Sequence, residues 1–250
     1  MIDLTGKTAL ITGGSRGIGA ACVKLFSQAN CNVAFTYKSN KTAANKLISE
    51  CKNVKIIAYK VDMESERGIK RCVDKAVKDF GKIDILVHNA GIWNDGTLGK
   101  IGLKEWEEMM RVNLTSNFLF VNAVIPFMKK NNFGRIINIS STAGQRGEAF
   151  HSHYAASKGG MISFTKSLAV ELAPYNITTN SVAPGWVDTD LNNEVFADAE
   201  FKENARMGIP LGRIPTSEDI AGPVLFLASS LANHINGEIL NVNGGSVLCG

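Results

Sequence analysis

Along the chain, short runs of apolar and β-branched residues alternate with longer stretches in which apolar positions recur at helical spacing. The short runs show little polar alternation, as strands covered on both faces require. TALIT (8–12), NVAFTY (32–37), VKIIAY (54–59), IDILVH (83–88), GRIINIS (134–140), ITTNSVA (177–183) and EILNV (238–242) predict seven strands. Helical periodicity lies between them at about 17–28, 41–51, 64–80, 103–129, 152–174 and 217–231, the last opened by the capping run Thr216, Ser217, Glu218 and Asp219. Alternating strands and helices make βαβ units, which right-handed crossovers wind into one parallel sheet with helices on both faces. The pattern therefore predicts a single α/β domain over 1–250, doubly wound, with about seven strands. Ligands in such sheets sit beyond the carboxyl ends of the strands, so the residues just after each strand carry the chemistry.

Composition narrows the class without changing that picture. Of 250 residues, 45% are hydrophobic and 20% charged, with 24 glycines and 6 prolines, the profile of a compact domain rather than a disordered chain. The start shows no basic stretch followed by an apolar one, so no secretory leader is expected. Apolar runs such as VLFLA (224–228) fall far below the roughly 18 residues that a membrane span needs. Five cysteines at irregular spacing, with no C-x-x-C pair, argue against a disulfide framework and a zinc site and suit a reducing cytoplasm. His151 and His153 form an H-x-H with no third ligand nearby; they are expected at a pocket rim, and no metal is expected. The net charge is +4, without the interleaved basic and aromatic residues of a nucleic-acid groove, so no nucleic-acid partner is expected.

After the first strand, TGGSRGIG sets Gly13, Gly17 and Gly19 before a helix, with Ser15, Arg16 and Ile18 between them. Glycines there allow a tight turn and let backbone N–H groups approach a pyrophosphate at the helix N-terminus, so this loop is read as dinucleotide-binding. A free ribose 2′-hydroxyl is usually held by an acid about 20 residues further on, at the end of the second strand. That place holds Tyr37, Lys38 and Ser39, and no Asp or Glu occurs from Leu4 through Ser49. Arg16 and Lys38 together suit a 2′-phosphate, which selects NADP(H). After the third strand, Asp62 and Met63 are placed beside the adenine, with Asp62 accepting from its amino group.

The segment HSHYAASKGG places Tyr154 one helical turn before Lys158, among small residues. Reducing a ketone by hydride transfer leaves an alkoxide, which needs a proton donor. A free tyrosine, with a pKa of about 10, is a weak acid for that work. An ammonium on the same helix face should lower it, making Tyr154 the general acid and Lys158 its tuner. Ala155, Ala156, Ser157, Gly159 and Gly160 should let the helix lie close to its ligand and to a neighbouring helix.

TGGSRGIG, HNAG (88–91), VNL (112–114), SS (140–141), YAASK (154–158) and APGWVDT (183–189), in this order along nearly the whole chain, resemble the short-chain dehydrogenases/reductases, and among them the β-ketoacyl-acyl carrier protein reductases. The resemblance implies a Rossmann-like, NADP-binding domain and an NADPH-dependent reductase of 3-oxoacyl thioesters in fatty acid synthesis. It implies that Ser141 hydrogen-bonds the carbonyl oxygen and that Asn113 holds a water chain leading to the lysine. Asn89, Ala90 and Gly91 are then a backbone wall beside the cofactor, with His88 packed behind. Pro184, Gly185, Val187 and Thr189 face its nicotinamide half. The segment 188–213 is then a mobile lid over the substrate, and Trp93, Phe150, Trp186 and Phe196 are candidates for an apolar acyl pocket. Acyl carrier protein is a possible partner, but the two places where relatives carry docking cations read KKNN, with Lys129 and Lys130, and APYN, with Tyr175. A dehydrogenase of a sugar, polyol or other small alcohol stays open, as does a non-catalytic NADP(H) sensor. Surplus apolar residues on 103–129 and 152–174, with the resemblance, predict a homotetramer.

Overall fold

The computed structural model describes residues 2–52 and 54–249. Seven strands form one parallel sheet: β1 (Thr8–Ile11), β2 (Asn32–Tyr37), β3 (Ile56–Lys60), β4 (Ile85–His88), β5 (Gly134–Ile139), β6 (Ile177–Pro184) and β7 (Ile239–Val242). Their spatial order is β3-β2-β1-β4-β5-β6-β7, so the winding reverses between β1 and β4 and opens a crevice at their carboxyl ends. On one face, α1 (Gly17–Gln28), α2 (Lys41–Glu50) and α10 (Ser217–Ala228) bury Phe26, Leu47 and Val224 against Ile11, Phe35 and Val182. On the other, α3 (Glu66–Phe80), α5 (Ser116–Lys130) and α7 (Ser152–Leu172) bury Ile69, Phe120 and Leu168 against Leu10, Leu86 and Ile136. The central strands are buried on both sides, which is why their sequences lack polar alternation.

Strand and helix ends fall within a few residues of the predicted ones, and the differences have local causes. β4 runs from Ile85, and Asp84, predicted within it, still bonds Thr8 and Arg135 through its main chain while its carboxylate accepts from the Thr8 amide at 2.9 Å and lies 3.0 Å from Lys82. The helix predicted over 103–129 is three pieces: α4 (Leu103–Met110), a π-helical turn (Arg111–Thr115) and α5, which accommodates Pro126. The helix predicted over 152–174 stops at Leu172 and passes through a 3₁₀ turn to Asn176, whose φ is +55°. Three short helices were absent from the sequence reading: α6 (Thr142–Arg146), and α8 (Asn193–Phe196) and α9 (Ala199–Met207) inside the expected lid. Thr216 and Asp219 form a reciprocal capping box at the start of α10, as their spacing predicts.

At the opposite end of the sheet from the crevice, Arg135 is a buried cation with no carboxylate partner among the described residues. Its terminal nitrogens donate to the carbonyl oxygens of Gly134 at 2.7 Å and Asn176 at 3.3 Å and to Asn233 Oδ1 at 2.8 Å, its Nε has no partner among the described residues, and it lies over the Phe133 ring. Chemistry and stability are thus kept at opposite ends of the strands.

Phe120 is fully buried between α5 and the sheet. Phe120→Ala should cost about 3–5 kcal/mol, seen as a large fall in the urea midpoint, whereas removing the Thr216 cap should cost about 1 kcal/mol. Equal falls would contradict the placement of Phe120 in the core.

Candidate active site

The crevice is held by main-chain and short polar groups at the ends of β1, β2 and β4. Thr12 Oγ1 accepts from the amides of Asn89 at 3.0 Å and Ala90 at 2.9 Å, while Asn89 Nδ2 donates to the Thr12 carbonyl at 3.0 Å. The amides of Gly13 and Gly14 donate to Thr36, to its hydroxyl at 3.0 Å and its carbonyl at 2.8 Å. Gly13 and Gly17 have φ of +65° and +52°, a conformation that L side chains rarely adopt. At Gly19 the constraint is space, since an added Cβ would lie 2.2 Å from the Gly13 carbonyl oxygen. No side chain caps α1, so its first N–H groups are left for a ligand.

A cavity of about 500 Å³ runs from this loop to the start of α7. Of the residues predicted to hold the cofactor, Gly13, Ser15, Arg16, Gly17, Ile18, Tyr37, Lys38, Met63, Asn89, Ala90, Gly91, Tyr154, Lys158, Pro184, Gly185, Val187 and Thr189 line it. Gly19, Ser39 and Asp62 do not line it. Gly19 acts by its absence of bulk, Ser39 is exposed, and exposed Asp62 accepts from the Glu64 amide at 3.2 Å. Arg16 and Lys38 form no ion pair among the described residues, so their charge faces one end of the cavity uncompensated.

Ser141, Tyr154 and Lys158 stand at the other end. Ser141 is the N-cap of α6, its Oγ accepting from the Ala143 amide at 3.1 Å, which leaves its proton free to donate. Tyr154 and Lys158 are one turn apart on α7, with Nζ 5.8 Å from the phenol ring centroid and donating to the Ile139 carbonyl at 2.7 Å. Asn113 lies behind the wall rather than in it. From the π turn its Oδ1 accepts from the Ile92 amide at 2.8 Å, and its Nδ2 lies 3.0 Å from the Ile92 carbonyl and 3.1 Å from Ser157 Oγ. A π turn shifts the side-chain register by one residue, and here it turns Asn113 inward. The polar wall around Gly91 is therefore braced from α7 and the π turn together.

The electrostatics correct one expectation. Lys158 was expected to lower the pKa of Tyr154, yet burial pushes the phenol up to about 12, opposed by its hydrogen bond with Ser141 and reinforced by the Glu148 charge. Burial also brings the Lys158 ammonium down to about 8. Desolvation outweighs the pair attraction because the ammonium is turned to a carbonyl rather than to the phenol oxygen. His88 is packed as expected, with its nitrogens 3.4 Å from Thr12 Oγ1 and 3.4 Å from Ser116 Oγ, and burial lowers its pKa to about 3.

Trp93 and Trp186 line the cavity and meet edge to face at 5.8 Å; Phe196 backs Trp186, while Phe150 is 67% exposed and outside. His151 stacks on Trp93 at 4.2 Å and His153 packs beneath Gly96, so the H-x-H pair belongs to the wall. Among the described residues, no group of three metal-ligating side chains gathers. The sequence reading missed Arg146, Glu148 and Ile92 as lining residues, and Asn204 and Gly208 on or beside α9. A charged pair between Ser141 and Tyr154 was the available signal for the first two.

A family model described as enoyl-(acyl carrier protein) reductase matches residues 13–246. The 3-oxoacyl-[acyl-carrier-protein] reductase of Aquifex aeolicus is 40% identical over 246 residues, 98% of each chain. That of Haemophilus influenzae is 41% identical over 245 residues, 98% of this chain and 100% of its own. A crystal structure of a dehydrogenase/reductase from Sinorhizobium meliloti matches with a TM-score of 0.92 at 34% identity, covering 98% of this chain and 97% of that one.

Desolvation of Lys158 has a pH signature. Its pKa falls from 10.5 unfolded to about 8 folded, so between these values the unfolded chain holds more protons and stability rises with pH. Above about pH 9 the buried thiols of Cys22, Cys31 and Cys72, pushed up to about 12, act the other way, so the test is a difference: the wild-type urea midpoint should gain on that of Lys158→Met across the range. Equal slopes would mean that the ammonium is not desolvated.

Proposed function

Because the chain belongs to the short-chain dehydrogenase/reductase family, we propose that it reduces the ketone of a 3-oxoacyl thioester to the secondary alcohol with NADPH, a step of fatty acid synthesis. The observation that carries this reading is the convergence of Ser141, Tyr154 and Lys158 in the cavity that begins at the glycine loop. The printed activity of the full-length relatives supplies the substrate class. Ser141 beside Tyr154 offers two donors for one oxygen, which suits a carbonyl becoming an alcohol.

The residues present fit a nicotinamide dinucleotide. Gly13 and Gly17 form a cradle that side chains would strain or fill, and Arg16 and Lys38 offer unpaired charge for a 2′-phosphate. When bound, the nicotinamide supplies the hydride. Pro184, Gly185, Val187 and Thr189 would flank its ring and adjacent phosphates. Ser141 Oγ donates to the carbonyl oxygen and Tyr154 Oη delivers the proton to it. Burial keeps that phenol protonated at neutral pH, so it waits in its donor form. Lys158 Nζ, fixed by the Ile139 carbonyl, presents positive charge near the phenolate that the transfer leaves. Asn113 holds the Ile92 wall and Ser157 in place.

We assign acyl carrier protein as the thioester's carrier on the relatives' printed activity; Lys129 and Lys130 close α5 at the end of the sheet away from the crevice, where Lys129 lies over the Tyr175 ring at 4.3 Å. The five unpaired cysteines suit the cytoplasm, and no helix among the described residues is long and apolar enough to cross a membrane. We infer a homotetramer from apolar side chains left exposed on α4 and α5, Trp106 at 38% and Phe118 at 49%, the latter edge to face with Phe164 of α7. Sedimentation equilibrium should give four chains at micromolar concentration, and a one-chain mass would refute this assembly.

Acetoacetyl thioester with NADPH should be turned over, and Tyr154→Phe should lower kcat by roughly 10²–10⁴-fold while still binding NADPH. Pairing Arg16→Ala with Lys38→Ala should remove the preference for NADPH over NADH. Turnover of glucose or cyclic alcohols with NADP⁺, and none of the thioester, would replace this reading with a sugar or polyol dehydrogenase.

A further inference from the structure

Arg146, Glu148 and Asp190 line the cavity without a part in the chemistry above, and of these Glu148 stands beside Tyr154. Glu148 lies in the loop between α6 and α7, and its half-buried side chain lines the cavity that holds Tyr154. The neighbouring charged and titratable groups leave it only partly answered. From α6, Arg146 is exposed at the cavity edge and makes no ion pair among the described residues. From the start of α7, His151 Nδ1 lies 4.0 Å from the carboxylate but points to the Ala149 carbonyl at 2.9 Å, while His153 is packed under Gly96. From the loop after β4, the Trp93 indole hydrogen-bonds the carboxylate, and Asp95, with its side chain 90% exposed, pairs with the far side of His151 at 3.0 Å. Tyr154 and Lys158 complete the set. Burial pushes the Glu148 carboxyl above the usual carboxylate range, the mark of a group short of water and of partners.

A carboxylate can accept about four hydrogen bonds. No lysine or arginine pairs with the Glu148 carboxylate among the described residues, Trp93 and the Arg146 charge offset its burial only in part, and the side chain lines the cavity, so accepting capacity is left for a ligand there. A hydrocarbon segment laid over it would strip its remaining water without replacing it, whereas an N–H or O–H would fill the gap. The same wall carries Trp93 and Trp186, which take the apolar part of a substrate.

We propose that Glu148 is a specificity-determining residue: its carboxylate accepts a hydrogen bond from an N–H donor on the thioester arm of the substrate, so the pocket selects arms bearing an amide close to the sulfur. This rests on the reading of thioester reduction given above.

Two substrates that differ at one atom test it: the S-(2-acetamidoethyl) and S-(2-acetoxyethyl) thioesters of 3-oxobutanoate, in which N–H is replaced by O. With NADPH, the wild type should show a kcat/KM roughly tenfold or more higher for the amide. Glu148→Leu should bring the ratio near one, and Glu148→Gln, which keeps an acceptor oxygen, should retain part of it. NADPH titration by fluorescence reports whether each variant is folded, since Glu148 lies away from the glycine loop. A wild-type ratio near one, or an unchanged ratio in Glu148→Leu, overturns the role of Glu148 and leaves thioester reduction standing. If the wild type reduces neither thioester, thioester reduction falls and this inference falls with it.

Discussion

Where α7 crosses α6, one added methyl group would collide with main chain: a Cβ on Gly144 would lie 2.6 Å from the Lys158 carbonyl carbon and 2.7 Å from the Gly159 amide nitrogen. A Cβ on Gly160 would lie 2.7 Å from Leu114 in the π turn. The small residues around Tyr154 and Lys158 thus let α7 press on both neighbours, and that approach strips water from the phenol and the ammonium together. Each shifts towards its neutral form, to about 12 and about 8 respectively. Close packing thus keeps the phenol in its protonated form and makes it a weaker donor than a free tyrosine.

The reversal of winding between β1 and β4 supplies the other half of the arrangement. Parallel strands leave their last amides and carbonyls unpaired at such a point, and here Thr12 and Asn89 close the gap with reciprocal hydrogen bonds between the two strand ends. That bracing fixes the glycine loop relative to the HNAG loop. The cavity consequently has a cationic end at Arg16 and Lys38, and a more secluded end where Ser141, Tyr154 and the buried Lys158 meet. Phosphate recognition and proton transfer need these opposite environments, and the sheet keeps them apart on one rigid frame.

Much of this was legible in the chain. Strand positions followed from apolar runs, and helix starts such as Thr216 with Asp219 from capping chemistry, because both signals are local. The glycine loop and the Tyr-x-x-x-Lys spacing were readable for the same reason. The π turn was not, since a period of 3.6 cannot show one inserted residue whose cause is Asn113 reaching Ile92 across space. Nor was the outward turn of Asp62, which the neighbouring Glu64 amide decides.

The sequence by itself determined the order of strands and helices, the charge at the glycine-loop end of the cavity, and which residues could exchange a proton. Those are properties of residue type and spacing. Only the tertiary structure decided the direction in which the titratable groups shift, which aromatic rings reach the cavity, and that Glu148 shares it. These depend on the water left around each group once α6, α7 and the loop after β4 have closed on one another, and no local pattern in a chain encodes that quantity.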